Sequence, residues 1–250
     1  MPSITPEAQR RLAGYLRFQR DIGIERFRIA PSQIPTPVVS HAPEPSLAAG
    51  NRQLATESPA SLAAIQADIG PDCRRCKLAA GRHSIVFGSG NPRAELVFIG
   101  EGPGADEDAQ GMPFVGRGGR LLTDMIEKGM GLRREDVYIC NVVKCRPPAN
   151  RTPEPDEIAA CSPFLLRQLR AVAPKMVCAL GATAAQMLRP YKGSLGSVRG
   201  RIHALHLGDF ETSLVVTYHP AYLLRDPSQK REAWKDLQII MEYLCLKKKS

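Results

Sequence analysis

Four short apolar runs recur along the chain with amphipathic stretches between them. "ELVFIG" (95–100), "VYICNVV" (137–143), "KMVCALG" (175–181) and "SLVVTYH" (213–219) are continuous and rich in β-branched residues. Runs of that kind fill a buried parallel sheet. Between and after them, apolar positions at helical spacing predict helices over 119–130, 154–173 and 182–190, and a last one from about Lys230 towards a basic tail. Pro163, inside the second, is expected to kink or divide it. Strand–helix alternation predicts an α/β fold of three layers, with a central, mainly parallel four-stranded sheet between helices. Ligands of such sheets bind beyond the carboxyl ends of the strands. That rule points to Glu101, to the segment 141–150, to Gly181 and to His219.

The pattern differs upstream. Leu12, Tyr15, Leu16 and Ile22 are spaced as in a helix, so residues 1–30 are predicted to be a helical extension. Residues 31–60 are rich in Pro, Ser and Ala and read as a disordered linker. The compact domain is then expected over 61–250. Apolar residues make up 43% of the 250, enough for a packed core, and no run is long enough to span a membrane. The first residues hold no apolar stretch of the secretory kind, and a cytoplasmic protein is expected. A net charge of +9 suits a polyanionic partner, and equally a merely basic soluble protein.

Two segments carry candidate chemistry. "GEGPGADEDAQGMPFVG" (100–116) is a glycine-rich loop after a strand, the usual setting for phosphate. Yet it carries Glu101, Asp106, Glu107 and Asp108, with no Lys or Arg before Arg117, and so would repel phosphate. The second feature is cysteine. Cys73 and Cys76 form "CRRC" in a turn with Arg74, Arg75 and Lys77, cations that favour thiolates. With Cys145 and Cys161 the pair could bind tetrahedral zinc or an iron–sulfur cluster, and spacing does not choose. Cys140, Cys178 and Cys245 are expected to be buried apolar residues.

"GEGPGADEDAQGMPFVG", "NVVKCRPPANRTP", "HPAYLLR" and the four cysteines, in this order, resemble the family 4 uracil-DNA glycosylases over about residues 72–244. Outside the resemblance, a monomer is expected, and the N-terminal extension is a candidate tether for a repair or replication partner; the resemblance itself implies a 4Fe–4S cluster on Cys73, Cys76, Cys145 and Cys161 and uracil-containing DNA as the partner. It places Gly102, Glu107, Phe114, Asn141 and Asn150 around a flipped-out uracil. Phe114 would stack on the base and Asn141 would read its edge. Glu107 would lie beside the base, where its bulk excludes the thymine methyl. His219 would donate to the departing base anion, and Glu101 would face the sugar or orient water. Better-known members of the superfamily carry Asp, and most of family 4 Ala, where this chain has Gly102, so Glu101 or a water held by Asn150 must compensate. Leu223 or Leu224 would fill the gap in the duplex, and Arg199, Arg201 and Arg225 are candidates for phosphate contacts.

Without the resemblance, each residue has a plainer reading: Phe114 as core, Asn141 as a turn cap, His219 as structural, each Arg as surface charge. Other superfamily specificities fit less well. The covalent trapping of uracil by a His after the second strand has no counterpart in "KCRPPANRTP", and His203 falls after the third strand. Family 5 enzymes lack the acid equivalent to Glu101. A non-catalytic nucleic-acid-binding protein would need the cysteines and the basic charge, but not Glu101, Phe114, Asn141 and His219 at strand ends.

Overall fold

In the computed structural model, which describes residues 61–246, each of the four apolar runs falls on a strand, the last strand beginning three residues before its run. They are β2 (Leu96–Gly100), β3 (Tyr138–Asn141), β4 (Met176–Leu180) and β6 (Phe210–Thr217). All four are mutually parallel, in the order β3-β2-β4-β6. The chain leaves β2 for β3 on one side and then returns to β4 on the other, which opens a crevice beyond the end of β2. The predicted N-terminal helix and the linker lie outside the described residues.

The sheet has six strands, not the expected four. A two-residue β1 (Ser89–Gly90) lies antiparallel on β3, and β5 (Ile202–Leu207) lies antiparallel on β6, so the sheet is mixed. β5 joins β6 through a tight turn at Gly208, whose φ of +71° suits glycine. β5 buries only alternate residues (His203, Leu205 and Leu207), and this half-exposed edge is why it lacks the continuous apolar signal.

Helices cover both faces. They are α1 (Leu62–Ile69), α2 (Ala105–Gln110), α3 (Arg117–Asp124, running on as a π turn to Met130), α4 (Pro155–Val172), α5 (Ala182–Leu188), α6 (Pro220–Arg225) and α7 (Lys230–Tyr243). Strand side chains alternate between two cores. Val97, Ile99, Val177 and Leu214 meet Leu165 and Leu169 of α4 and Ala185 of α5. Phe98, Met176, Cys178 and Val215 meet Leu122 and Ile126 on one side of the second core and Leu237 and Ile240 of α7 on the other. Pro163 does not divide α4, which runs unbroken for 18 residues. Cys140 and Cys178 are buried as expected, whereas Cys245 lies exposed just past the end of α7. No helix among the described residues is long and apolar enough to cross a membrane.

Candidate active site at the strand ends

A cavity of about 600 Å³ opens beyond the carboxyl ends of the parallel strands, within the roughly 300–1,000 Å³ usual for ligand pockets. Glu101 after β2, Asn141 at the end of β3, Gly181 after β4 and His219 after β6 all line it. Gly102, Glu107, Phe114, Asn150 and Arg225 line it as well.

Three of the four acids in the 100–116 loop have defined partners. The Glu107 carboxylate accepts the backbone N–H groups of Gly104 (3.1 Å), Val115 (2.9 Å) and Gly116 (2.9 Å), closing the loop on itself. Buried Asp108 accepts the N–H groups of His83 (2.9 Å) and Ser84 (3.2 Å) and so anchors the loop to the preceding segment. Glu101 accepts a hydrogen bond from the Thr183 hydroxyl. Glu107 therefore builds the loop while lining the cavity, its oxygens committed to backbone.

Phe114 sits in the left-handed region (φ +54°), which costs a non-glycine residue energy and needs support. Arg134 supplies it, donating to the carbonyls of Pro113 (2.7 Å) and Phe114 (3.0 Å). Gly119 lets α3 approach, since a Cβ there would lie 2.0 Å from the Phe114 carbonyl. The Phe114 ring lies 5.6 Å from that of His219, tilted by 34°.

Asn141 is buried, and its Oδ1 has no hydrogen-bond partner. A buried unpaired oxygen is costly unless a donor reaches it, and Asn141 lines the cavity from which one could come. Its main-chain carbonyl accepts from the buried ammonium of Lys144 at 2.7 Å. Gly100, paired in register with Asn141, completes the floor: a Cβ there would lie 2.4 Å from Asn141 Oδ1 and 2.5 Å from Phe114 Cζ. Glycine is what lets amide and ring share one recess.

His219 caps α6, its Nδ1 accepting the Ala221 N–H at 3.1 Å. That bond leaves the proton on Nε2. Burial, with Arg225 nearby, lowers the pKa of His219 to about 4. The ring is therefore a neutral Nε2–H donor.

Beyond the geometry, the model of the uracil DNA glycosylase superfamily matches residues 87–238. The chain is 43% identical to a type-4 uracil-DNA glycosylase of Saccharolobus solfataricus over 179 residues, 70% of this chain and 83% of that relative. It is 49% identical to one of Thermotoga maritima over 159 residues (63% and 81%) and 43% identical to one of Archaeoglobus fulgidus over 180 residues (70% and 89%). The chain belongs to the type-4 uracil-DNA glycosylases.

Not every residue expected from this type-4 pattern faces the cavity. Arg199 turns inward, its side chain only 11% exposed, pairing with Asp236 (2.9 Å) and Glu232 (3.3 Å) and lying over the Tyr218 ring. Its charge is committed inside the protein, which corrects the phosphate expectation. Arg201 is exposed and donates to the Ser197 carbonyl. Leu223 is buried, which corrects its expected place in the duplex gap; Leu224 is the partly exposed leucine of α6. His203 bonds through Nε2 to the Val198 carbonyl (2.6 Å) and does not line the cavity. Asn150 also lines it, with Oδ1 accepting from Arg146 Nε at 2.8 Å.

The iron–sulfur expectation is corrected too. Among the described residues no group of three or more His, Cys, Asp or Glu side chains stands where it could hold a metal ion. Cys73, Cys76, Cys145 and Cys161 do line one recess, but its volume is about 20 Å³, roughly room for one water. The expected thiolate character fails at Cys76, where burial raises the thiol pKa more than nearby Arg82 lowers it. Burial also pushes Cys145 up to about 11.

Sequence reasoning missed Gly100, Arg117, Arg134 and Thr183. Arg117 lines the cavity, exposed, at the start of α3. Its signal was available in the "GRGGR" that follows Phe114, and the others act through contacts that no motif displays.

Proposed function

We propose that this chain removes uracil from DNA, hydrolysing the N-glycosidic bond of a flipped-out deoxyuridine and leaving an abasic site. The observation that carries this reading is the buried, unpartnered Oδ1 of Asn141, set in a recess beside the Phe114 ring. Uracil offers N3–H to that oxygen and O4 to the amide nitrogen. Cytosine presents an acceptor at N3 and would leave the oxygen unpaired, which is how a polar site rejects the wrong base. The base stacks on Phe114, whose strained backbone is held from outside the cavity by Arg134.

Bond cleavage leaves negative charge on the base and positive character on the sugar. The neutral Nε2–H of His219 donates to O2 as that charge grows, a contribution of roughly 3 kcal/mol for one preorganised donor. Glu101 faces the sugar, stabilising the cation and orienting the water that adds to C1′. Gly102 brings no competing group: a Cβ there would lie 2.8 Å from a Val143 methyl, so the packing leaves little room for a side chain. Arg117 and Arg225, exposed along the cavity, contact phosphates, and Leu224 fills the vacated stack. A three-layer core carries this site, and residues 1–60 form an accessory extension.

Single-turnover release of uracil from a duplex, with affinity for an uncleavable analogue measured separately, tests the reading. Glu101→Gln and His219→Ala should each slow release by about a hundredfold while binding changes little. Wild-type rates in both, or losses in affinity alone, would remove them from the chemistry.

A further inference from the structure

Thr183 does not line the cavity, yet it holds the residue on which the sugar chemistry depends. Glu101 is fixed from two sides. Its main-chain carbonyl accepts the Val143 N–H at 3.2 Å, extending the β2–β3 ladder one residue past the strand. Its Oε2 accepts the Thr183 hydroxyl, which comes from the first turn of α5 on the opposite flank. A free Glu side chain has three rotatable bonds, and fixing it costs up to about 2 kcal/mol of rotamer entropy. Threonine suits the task because its β-branch restricts its own χ1.

The same turn also supports the other catalytic group. Gly181, which leads into α5, has φ +89° and donates its N–H to the Thr217 carbonyl at 2.9 Å. A Cβ on Gly181 would lie 3.1 Å from His219 Cβ, so the turn packs against His219 while its next residue but one reaches Glu101. Donor to the base and carboxylate to the sugar are registered against one short segment, 181–183.

We infer that Thr183 is a positioning residue for base excision: its hydroxyl holds Glu101 Oε2 so that Oε1 is presented to the sugar and its attacking water. This rests on the assignment of Glu101 proposed above. With the hydroxyl gone, the carboxylate keeps its charge but loses its fixed direction, so the chemical step slows while DNA affinity is kept.

The test is single-turnover uracil release by the full chain carrying Thr183→Val, Thr183→Ser, Glu101→Gln, or Thr183→Val with Glu101→Gln. Removing a hydrogen bond to a charged group predicts a loss of about tenfold for Thr183→Val, with unchanged affinity for the uncleavable analogue. Thr183→Ser keeps the hydroxyl and should recover most of the rate. In the Glu101→Gln background, Thr183→Val should cost less than about twofold, because residues acting as a unit are not additive. Wild-type release by Thr183→Val, an equal loss in Thr183→Ser, or full additivity with Glu101→Gln would overturn the inference. Wild-type release by Glu101→Gln would instead overturn the assignment of Glu101.

Discussion

Two buried polar constellations flank the end of β6, and they are built on opposite principles. On one side, Arg199 pairs with both Asp236 and Glu232, and its guanidinium also donates to the Glu232 carbonyl and covers the Tyr218 ring. On the other, Asn141 keeps a naked oxygen, His219 keeps Nε2–H, and glycine at 100 keeps the space between amide and ring clear. The first turns its charges on one another inside the fold, although Asp236 Oδ1 keeps no partner. The second presents an unpaired oxygen and a ring N–H to an open cavity, at a cost in stability. Burial, charge and an unpaired atom do not by themselves separate a site from a strut; here the difference is that Asn141 and His219 line an open cavity and Asp236 does not.

Substitutions on the two sides should therefore fail in different ways. The largest kinetic effect is expected at His219, where Ala should slow release by a hundredfold or more with little change in melting temperature. On the paired side, Arg199→Ala strands the buried Asp236 carboxylate and should cost about 3 kcal/mol of stability, read by denaturant unfolding. The salt dependence of DNA binding should stay as in the wild type. A smaller effect is expected at the cavity rim. Arg117→Ala and Arg225→Ala should each weaken binding across sequences and reduce the slope of log K against log salt by about one; unchanged slopes would place both outside the phosphate path.

The effect of pH sharpens the comparison further. His219 has a pKa near 4 in the folded chain, below the ordinary 6.5. The unfolded chain thus binds the extra proton between those values, and stability rises with pH across that window. The contribution of His219 is complete above pH 6.5 and is lost as pH falls towards 4, a slope that His219→Gln should reduce. A neutral donor also predicts no inflection near pH 6.5 in the rate of uracil release. The smallest effect is expected from removing residues 1–60, which should leave the release rate close to that of the full chain.

The central strands were legible because a buried parallel strand writes itself as a continuous apolar run, and the rule of strand ends then pointed to Glu101, Asn141 and His219. β1 and β5 were not, since two residues carry no period and an edge strand buries only one face. Motif position placed Phe114 and Glu107 at the cavity but did not reveal that one is held in a left-handed conformation and the other closes the loop. Arg199 and Leu223 were misassigned for a shared reason. A charge or a leucine near a motif looks available until its neighbours are known, and here those neighbours are Asp236 for one and the protein interior for the other. The four cysteines show the same limit, because spacing reports which side chains share a recess but not how much room it has.

The central claim is that Asn141 withholds its amide to read the base. Single-turnover release of uracil and of cytosine by wild type and by Asn141→Asp tests it most directly. The wild type should release uracil and leave cytosine. Asn141→Asp, which puts an acceptor where the amide nitrogen faced O4, should release uracil at least about tenfold more slowly and shift the ratio of rates towards cytosine, whose exocyclic amine donates. Uracil release at the wild-type rate, with the uracil-to-cytosine ratio unmoved, would contradict the account.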